Sequence, residues 1–431
     1  MRTGLARFVV CTSTLAQGVN FPIRYLLVTS IYQGAEPIKV RDFHNLIGRA
    51  GRAGMHTEGS ILFADADVYD GRNRDDDKWR WKQVKELLEP SNSEPCISSL
   101  LSFFEPLRSE DGKYKLKLDA MEFATRYVND PASLQQLAEE VAANHADKGF
   151  TRPGLEMQIA WKANMIAAVE SFLMSHWDTG DIAMTTDGAV ALAHDTLAYF
   201  LGDAETKERL VALFRVLAEN VAQKVTDPAR RQVYGKTLYG VSASQAIEEW
   251  VRAHLVELVS AETAERVLSF LWPLLLLYNQ SSTLRKCSKP EALENLALAW
   301  VSGRPFNLML QDLKSQEARL IWGKTFREFT IEHVVDMCEY GLAFDASLLL
   351  GAVTELVDYI APDGSHQLME RLNLLQKMLK YGLSTPGAIV LYELGFSDRT
   401  LAAELSSALN LLDEPRRDVV RKLTHLSDAV N

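Results

Sequence analysis

Three short runs near the N-terminus, residues 8–12, 25–31 and 60–64, are dominated by apolar side chains, many of them β-branched or aromatic, with Gly or Pro close by. Such runs predict strands. Polar and apolar positions do not alternate within them, so the predicted sheet is covered on both faces, as parallel sheets are. A helix over 41–52 fits between the second and third runs, and strands alternating with helices predict an α/β layer. Three strands are few for such a layer, and a chain that meets a buried strand at residue 8 reads as the end of a domain.

Residues 65–78, DADVYDGRNRDDDK, are acidic and aperiodic and predict a loop. The alternation over 114–118 predicts one strand or a β-wing. Past residue 120 the spacing turns helical. Ser133 with Gln136, and Ser242 with Gln245, have the spacing of capping boxes. Ile247, Trp250, Val251, His254, Leu255, Leu258 and Val259 then share one face, and Leu368, Leu372, Leu375 and Leu379 share another. Loops are expected at 178–188, 227–235, 281–290 and 361–365. Segment 391–397 reads as a helix, a break at Gly395 and a new cap at Ser397. The pattern divides the chain into 1–70, 71–130 and 131–431 and predicts an α+β fold, mainly α.

The longest apolar run, 267–278, contains Pro273 and is shorter than the ~20 residues that span a bilayer, so it predicts a buried helix. Arg2 and Arg7 precede an apolar stretch as in an export signal, but Thr12, Ser13 and Thr14 interrupt it, and a cytoplasmic location is expected. Cys11, Cys96, Cys287 and Cys338 have neither disulfide-scaffold density nor metal-site spacing. His254 has no spaced carboxylate or Cys partner and is expected to be a core histidine, and no resident metal is expected.

The net charge of −11 excludes a generally basic nucleic-acid binder. The charge is unevenly spread, however. Through Ser60 there are seven basic and three acidic residues, so this stretch carries +4 and the remainder −15.

That local positive charge coincides with two segments. The first, residues 12–22 (TSTLAQGVNFP), directly follows a predicted strand. Its small hydroxyl residues Thr12, Ser13 and Thr14 offer donors to a phosphate, and Gly18 lets the backbone approach a ligand. The second, residues 43–54 (FHNLIGRAGRAG), sets Arg49 and Arg52 three apart, hence on one helix face. Paired guanidinium forks suit a polyphosphate, and Gly48 and Gly51 keep that face open.

Together the two segments resemble motifs V and VI of superfamily 2 nucleic-acid helicases, the DEAD/DEAH-box-related class, with wording closest to the superkiller-like branch. The resemblance implies that 1–70 is a partial second RecA-like domain, 71–130 a winged-helix-like connector and 131–431 a helical bundle. It also implies roles. Thr12, Ser13 and Thr14 would contact the sugar-phosphate strand, Gly18 and Asn20 the ribose, and Arg49 and Arg52 the γ-phosphate as arginine fingers. Asn45, with Gly48, would sit at the nucleotide; the family motif begins with Gln there, and Asn45 is a shorter amide. ATP with Mg²⁺ is the implied cofactor, single-stranded DNA or RNA the implied partner.

Such motors cleave ATP between two RecA-like domains, and the first carries a phosphate loop and an acidic box. Neither motif occurs in this sequence. Gly235-Lys236-Thr237 and Gly323-Lys324-Thr325 lack the glycine five positions earlier, where Arg230 and Ala318 stand; both triplets are expected in helical surroundings. The expectation is the C-terminal part of an ATP-dependent helicase, inactive without a chain or upstream segment carrying the first motor domain. The alternative is a non-enzymatic helical scaffold that binds nucleic acid or protein and retains relic motifs. Repair, RNA processing and phage defence are all compatible with the resemblance.

Overall fold

The structure is a computed structural model that describes residues 10, 24–33, 36–48, 50, 59–177, 185–323 and 325–430. It divides into two compact units, 1–97 and 98–431. The division falls inside the segment 71–130.

The first unit is built around a parallel pair. Strand β1 (Tyr25–Val28) lies beside β4 (Ser60–Phe63), in the register Tyr25 to Ser60 through Val28 to Phe63. Two further bonds extend the ladder, Ser60 N to Arg24 O at 2.9 Å and Ala64 N to Val28 O at 2.8 Å. Between them come the two-residue strands β2 (Tyr32–Gln33) and β3 (Glu36–Pro37), paired antiparallel, and helix α1 (Val40–Ile47). Helices α2 (Ala66–Asp70) and α3 (Lys78–Leu87) follow. Leu26, Val28, Ile31, Ile38, Phe43, Val68, Val84 and Leu87 form the core. β1 alternates in burial, with Tyr25 56% and Leu27 59% exposed. In β4 Ser60, Ile61 and Leu62 are exposed as well, so the described residues do not show the cover on both faces that the continuous apolar runs predicted.

The second unit is almost wholly helical. After a short antiparallel pair, β5 (Leu107–Arg108) and β6 (Lys115–Leu116), come α4 (Ala120–Asn129), α5 (Ser133–Asn144) and the long α6 (Arg152–His176). Next are α7 (Thr186–Ala191), α8 (Leu197–Leu201), α9 (Ala204–Lys224), α10 (Pro228–Thr237), α11 (Val241–Ser260) and α12 (Ala264–Tyr278). Then α13 (Ser282–Arg285), α14 (Glu291–Val301) and α15 (Phe306–Ser315) lead to a hairpin of β7 (Leu320–Trp322) and β8 (Thr325–Arg327). The remainder is α16 (Ile331–Asp336), a π-helical stretch Met337–Ala346, α17 (Ser347–Ile360), α18 (His366–Tyr381), α19 (Pro386–Glu393), α20 (Arg399–Ala408) and α21 (Arg416–Val430). One continuous apolar core links these elements. The predicted stripes supply it, since Ile247, Val251 and Leu258 of α11 and all four leucines 368, 372, 375 and 379 of α18 are buried. The run 267–278 is the body of α12, as expected of a buried helix. The continuous helix Ile331–Ile360 is long and apolar enough to cross a bilayer, yet half of its most apolar window is buried inside the protein, as in the core helix of a globular domain.

Several local expectations are corrected. Residues 65–78 are not a loop: Asp65 caps α2, its carboxylate accepting from Val68 N at 3.2 Å. Residues 227–235 belong to α10, where Asp227 caps and Pro228 opens the helix. That order exploits a missing N–H where none is needed. Ser133 is no cap; it lies inside α5 and its hydroxyl donates to Asp130 O at 2.7 Å. At the break after α19 the cap is Asp398, not Ser397. Of the triplet 323–325, Gly323 follows β7 and Thr325 opens β8, so these two belong to a hairpin and not to a helix.

Ser242 is likewise not the cap of α11. The first N–H of that helix, Val241 N, donates to Glu170 Oε2 on α6 at 2.9 Å. Glu170 is fully buried, accepts from Asn220 Nδ2 of α9 at 2.6 Å and also pairs with the Tyr127 hydroxyl of α4. One carboxylate thus ties four helices. Burial pushes its pKa up to about 6, against the lowering effect of the hydrogen bonds from Val241 and Asn220. The folded protein then holds its proton to higher pH than the unfolded chain, whose value is near 4.5. Stability contributed at this site should therefore fall as pH rises from 4.5 to 6, by on the order of 2 kcal/mol, and stay level above. Urea unfolding of wild type and Glu170→Gln between pH 4 and 7.5 measures this. The wild type is expected to lose ground to the uncharged variant across that window only; a difference independent of pH would contradict the assignment.

Candidate functional site

Helix α1 carries the start of the second motif, residues 43–47, and is held at its N-terminus and by its core face. Lys39 at the N-cap supplies no side-chain bond. Instead Glu94, more than fifty residues along the chain, accepts from Val40 N at 3.1 Å and Arg41 N at 3.2 Å. A carboxylate there satisfies two orphan donors and meets the positive end of the helix dipole. Hydrogen bonds from Glu94's own backbone N–H and from Arg41 and Val40 hold its pKa below the ordinary value. Phe43 roots the helix in the core of the unit. Arg41 and Asp42 approach to 3.7 Å, which occupies the one acid in the stretch.

With Phe43 inward, Asn45 is exposed on the outer side and Gly48 closes the helix, also exposed. Gly48 N donates to His44 O at 2.9 Å, and the helix ends before the expected residue 52. Gly48 has φ −63°, a conformation open to any residue. A Cβ there would stand 3.1 Å from His44 O, a tight contact with the backbone of the preceding turn. His44 Nε2 is buried with no hydrogen-bond partner among the described residues, a group that costs about 1–3 kcal/mol if left unpaired. Thr12, Ser13, Thr14, Gly18, Asn20, Arg49 and Arg52 lie outside the described residues, so the structure brings together only Asn45 and Gly48 of the motif set. Sequence reasoning missed Glu94, whose distance along the chain leaves no local signal.

The remaining candidates resolve into structural roles. Gly235 lies where α10 presses on α6: a Cβ there would stand 2.6 Å from the backbone N and Cα of Ser175. Thr237 is buried, donating to Tyr234 O at 2.7 Å and sharing a bond with Ser244 Oγ at 3.0 Å. Lys236 points to Glu355 at 3.1 Å. This triplet is a helix contact and has no phosphate-loop geometry. His254 is half-buried and stacked on Trp250 at 4.5 Å, with Nδ1 at 2.8 Å from Trp250 O. The Arg399 guanidinium lies 4.0 Å over Trp300 and its Nε donates to Gly382 O at 2.9 Å. Among the described residues no group of three or more His, Cys, Asp or Glu is placed to hold a metal ion.

No known family profile matches the chain. The Hachiman protein HamB of Bacillus cereus is 21% identical over 429 residues, covering 94% of this chain and 34% of HamB. The helicase POLQ-like protein of Homo sapiens is 39% identical over 103 residues, 24% of this chain and 8% of that protein. The ATP-dependent DNA helicase Hel308 of Aeropyrum pernix is 38% identical over 65 residues, 14% of this chain and 9% of Hel308. The chain thus spans about a third of the length of HamB and under a tenth of the two helicases. These likenesses support a relationship to helicases over part of the chain.

Two substitutions separate packing from phosphate binding at residues 235–237. Gly235→Ala should cost about 1–3 kcal/mol through forced separation of α10 and α6, whereas Lys236→Ala, at an exposed ion pair, should change stability by less than about 1 kcal/mol. Thermal denaturation of both variants measures the contrast; equal, small effects would remove the packing explanation. At the motif helix, Glu94→Ala should speed amide exchange at Val40 and Arg41 while Glu94→Gln, still an acceptor, retains part of the protection. Unchanged exchange in Glu94→Ala would mean that α1 does not depend on this carboxylate.

Proposed function

We propose that this chain is the C-terminal part of an ATP-dependent nucleic-acid helicase of the superkiller-like type. The observation that carries the reading is the motif pair, residues 12–22 and 43–54, the second of which begins on a helix, Val40–Ile47, that lies on the crossover between two parallel strands. A crossover helix between parallel strands is the unit from which RecA-like layers are made. The open apolar face of β1 lends support, because a parallel sheet in such a layer is covered on both sides. So do the partial likenesses to proteins named as helicases.

In this reading Arg49 and Arg52 meet the γ-phosphate of an ATP whose phosphates and Mg²⁺ are held by a first motor domain. Their charge stabilises the transferring phosphoryl group, an effect worth roughly 10³–10⁵ in rate. Asn45 on α1 and Gly48 at its end lie on the nucleotide side, with Gly48 giving the phosphates room. Gly18 and Asn20 contact the ribose, and Thr12, Ser13 and Thr14 the phosphates of one DNA or RNA strand. Closure on ATP and reopening after hydrolysis then move the strand. Backbone contacts of this kind fix position without reading sequence. A cytoplasmic location belongs to the same proposal.

Steady-state ATP hydrolysis with saturating single-stranded DNA or RNA tests it. The chain as given should show no turnover, and adding a polypeptide that carries the phosphate loop and acidic box of its own motor should produce it. Arg52→Ala should then cut the rate by about 10³ or more. Turnover near 1 s⁻¹ by this chain alone, within the usual enzyme range, or a reconstituted rate indifferent to Arg52→Ala, would overturn the motor reading and favour a binding scaffold.

A further inference from the structure

The β7–β8 hairpin projects from the helical unit on an anchored base. Leu320 and Phe329, at its two roots, are 3% and 2% exposed. Ile321 N donates to Lys286 O at 2.7 Å, Ser288 N to Arg319 O at 2.8 Å and Arg319 N to Ser288 Oγ at 2.9 Å. Gly323, at φ +60°, makes the turn. Beyond this base the apolar side chains are open: Trp322 is 50%, Phe326 61% and Ile321 37% exposed. The register pairs Ile321 with Phe326 and Trp322 with Thr325. Neighbouring positions on a strand point to opposite faces, so each face of the tip carries an exposed apolar side chain. A two-stranded hairpin gains little by displaying three such side chains in water.

Within the hairpin itself the charge is of one sign. Residues 319–327 contain Arg319, Lys324 and Arg327 and no acid, in a chain of net charge −11. Arg327 lies 4.2 Å over the Trp322 ring and Lys286 Nζ 5.8 Å from it. Lys286, Arg319 and Arg327 are exposed and have no carboxylate within ion-pair distance among the described residues. Nearby Lys289 and Lys314, by contrast, are paired with Glu317 at 3.4 Å and Glu328 at 3.7 Å. Exposed rings with unneutralised cations beside them match an unpaired polynucleotide, whose bases offer π-faces and whose backbone offers phosphates. A duplex hides its bases.

We propose that the β7–β8 hairpin is a base-stacking contact for single-stranded nucleic acid, with Trp322 and Phe326 as stacking rings and Lys286, Arg319 and Arg327 as phosphate contacts. This site is independent of the ATP reading and stands or falls without it. Fluorescence anisotropy of the full chain with labelled dT20, rU20 and a 20-base-pair duplex tests it, together with crosslinking of a 4-thiouridine-substituted rU20. Trp322→Ala and Phe326→Ala should each weaken single-strand binding roughly tenfold. Arg327→Ala should weaken it and reduce the salt slope by about 0.7. Melting temperatures near wild type show that the fold is kept, and crosslinks should map to residues 319–327. Unchanged affinity in all three variants together with no crosslink in 286–327 would overturn the proposal. So would equal binding to the duplex, or loss in the same variants of binding to phosphatidylserine vesicles but not to dT20, which would assign the patch to a membrane surface.

Discussion

Parallel strands cannot be joined by a tight turn, and this constraint shapes the N-terminal unit. Because β1 and β4 run the same way, the chain between them must cross from one end of the pair to the other. Helix α1 lies on that crossover, and Phe43 commits one of its sides to the core. Its other side, with Asn45 and Gly48, faces outward. The arginine-bearing segment continues from the end of this helix, so its starting point is fixed by the strands.

The same logic of distant restraint recurs in both units. Glu94 closes the start of α1, and Glu170 closes the start of α11. Each is a carboxylate brought from another part of the chain to backbone donors that the helix leaves unmet. The helical unit adds further restraints. Lys162 is buried on α6, where its ammonium donates to Phe103 O at 2.6 Å and Glu105 O at 2.7 Å, and burial lowers its pKa to about 8. Glu248 is bound by Arg230 and Arg252, both at 2.7 Å, and by the Tyr234 hydroxyl at 2.5 Å. Such networks leave little polar capacity in the core free for chemistry.

Periodicity was a good guide wherever burial alone decides structure. The strands at 25–28 and 60–63 and the core stripes of α11, α12 and α18 follow from the apolar pattern. Caps were a poor guide, because the acceptor that wins at a helix start is chosen in three dimensions. Ser242 had the local spacing, yet Glu170 was better placed. Asp227-Pro228 was an available start signal for α10, an Asp that can cap followed by a Pro that can open a helix. In the hairpin, Leu320-Ile321-Trp322 and Thr325-Phe326-Arg327 flank Gly323 as strand residues flank a turn, a pattern overshadowed by the chance GKT triplet. At the candidate site Arg49 and Arg52 are legible in the sequence as paired guanidinium groups but lie outside the described residues, whereas Glu94, which accepts from the first N–H groups of the helix carrying Asn45, has no local signal.

The central claim is that the segment following α1 meets a triphosphate presented from outside this chain. A photoreactive ATP analogue tagged on its γ-phosphate, irradiated with the chain and a polypeptide supplying the phosphate loop, and mapped by mass spectrometry, addresses that claim most directly. The account predicts label within residues 41–58, absent when the phosphate-loop polypeptide is left out. Label confined to residues 98–431, or label on 41–58 that unmodified ATP does not compete away, would contradict it.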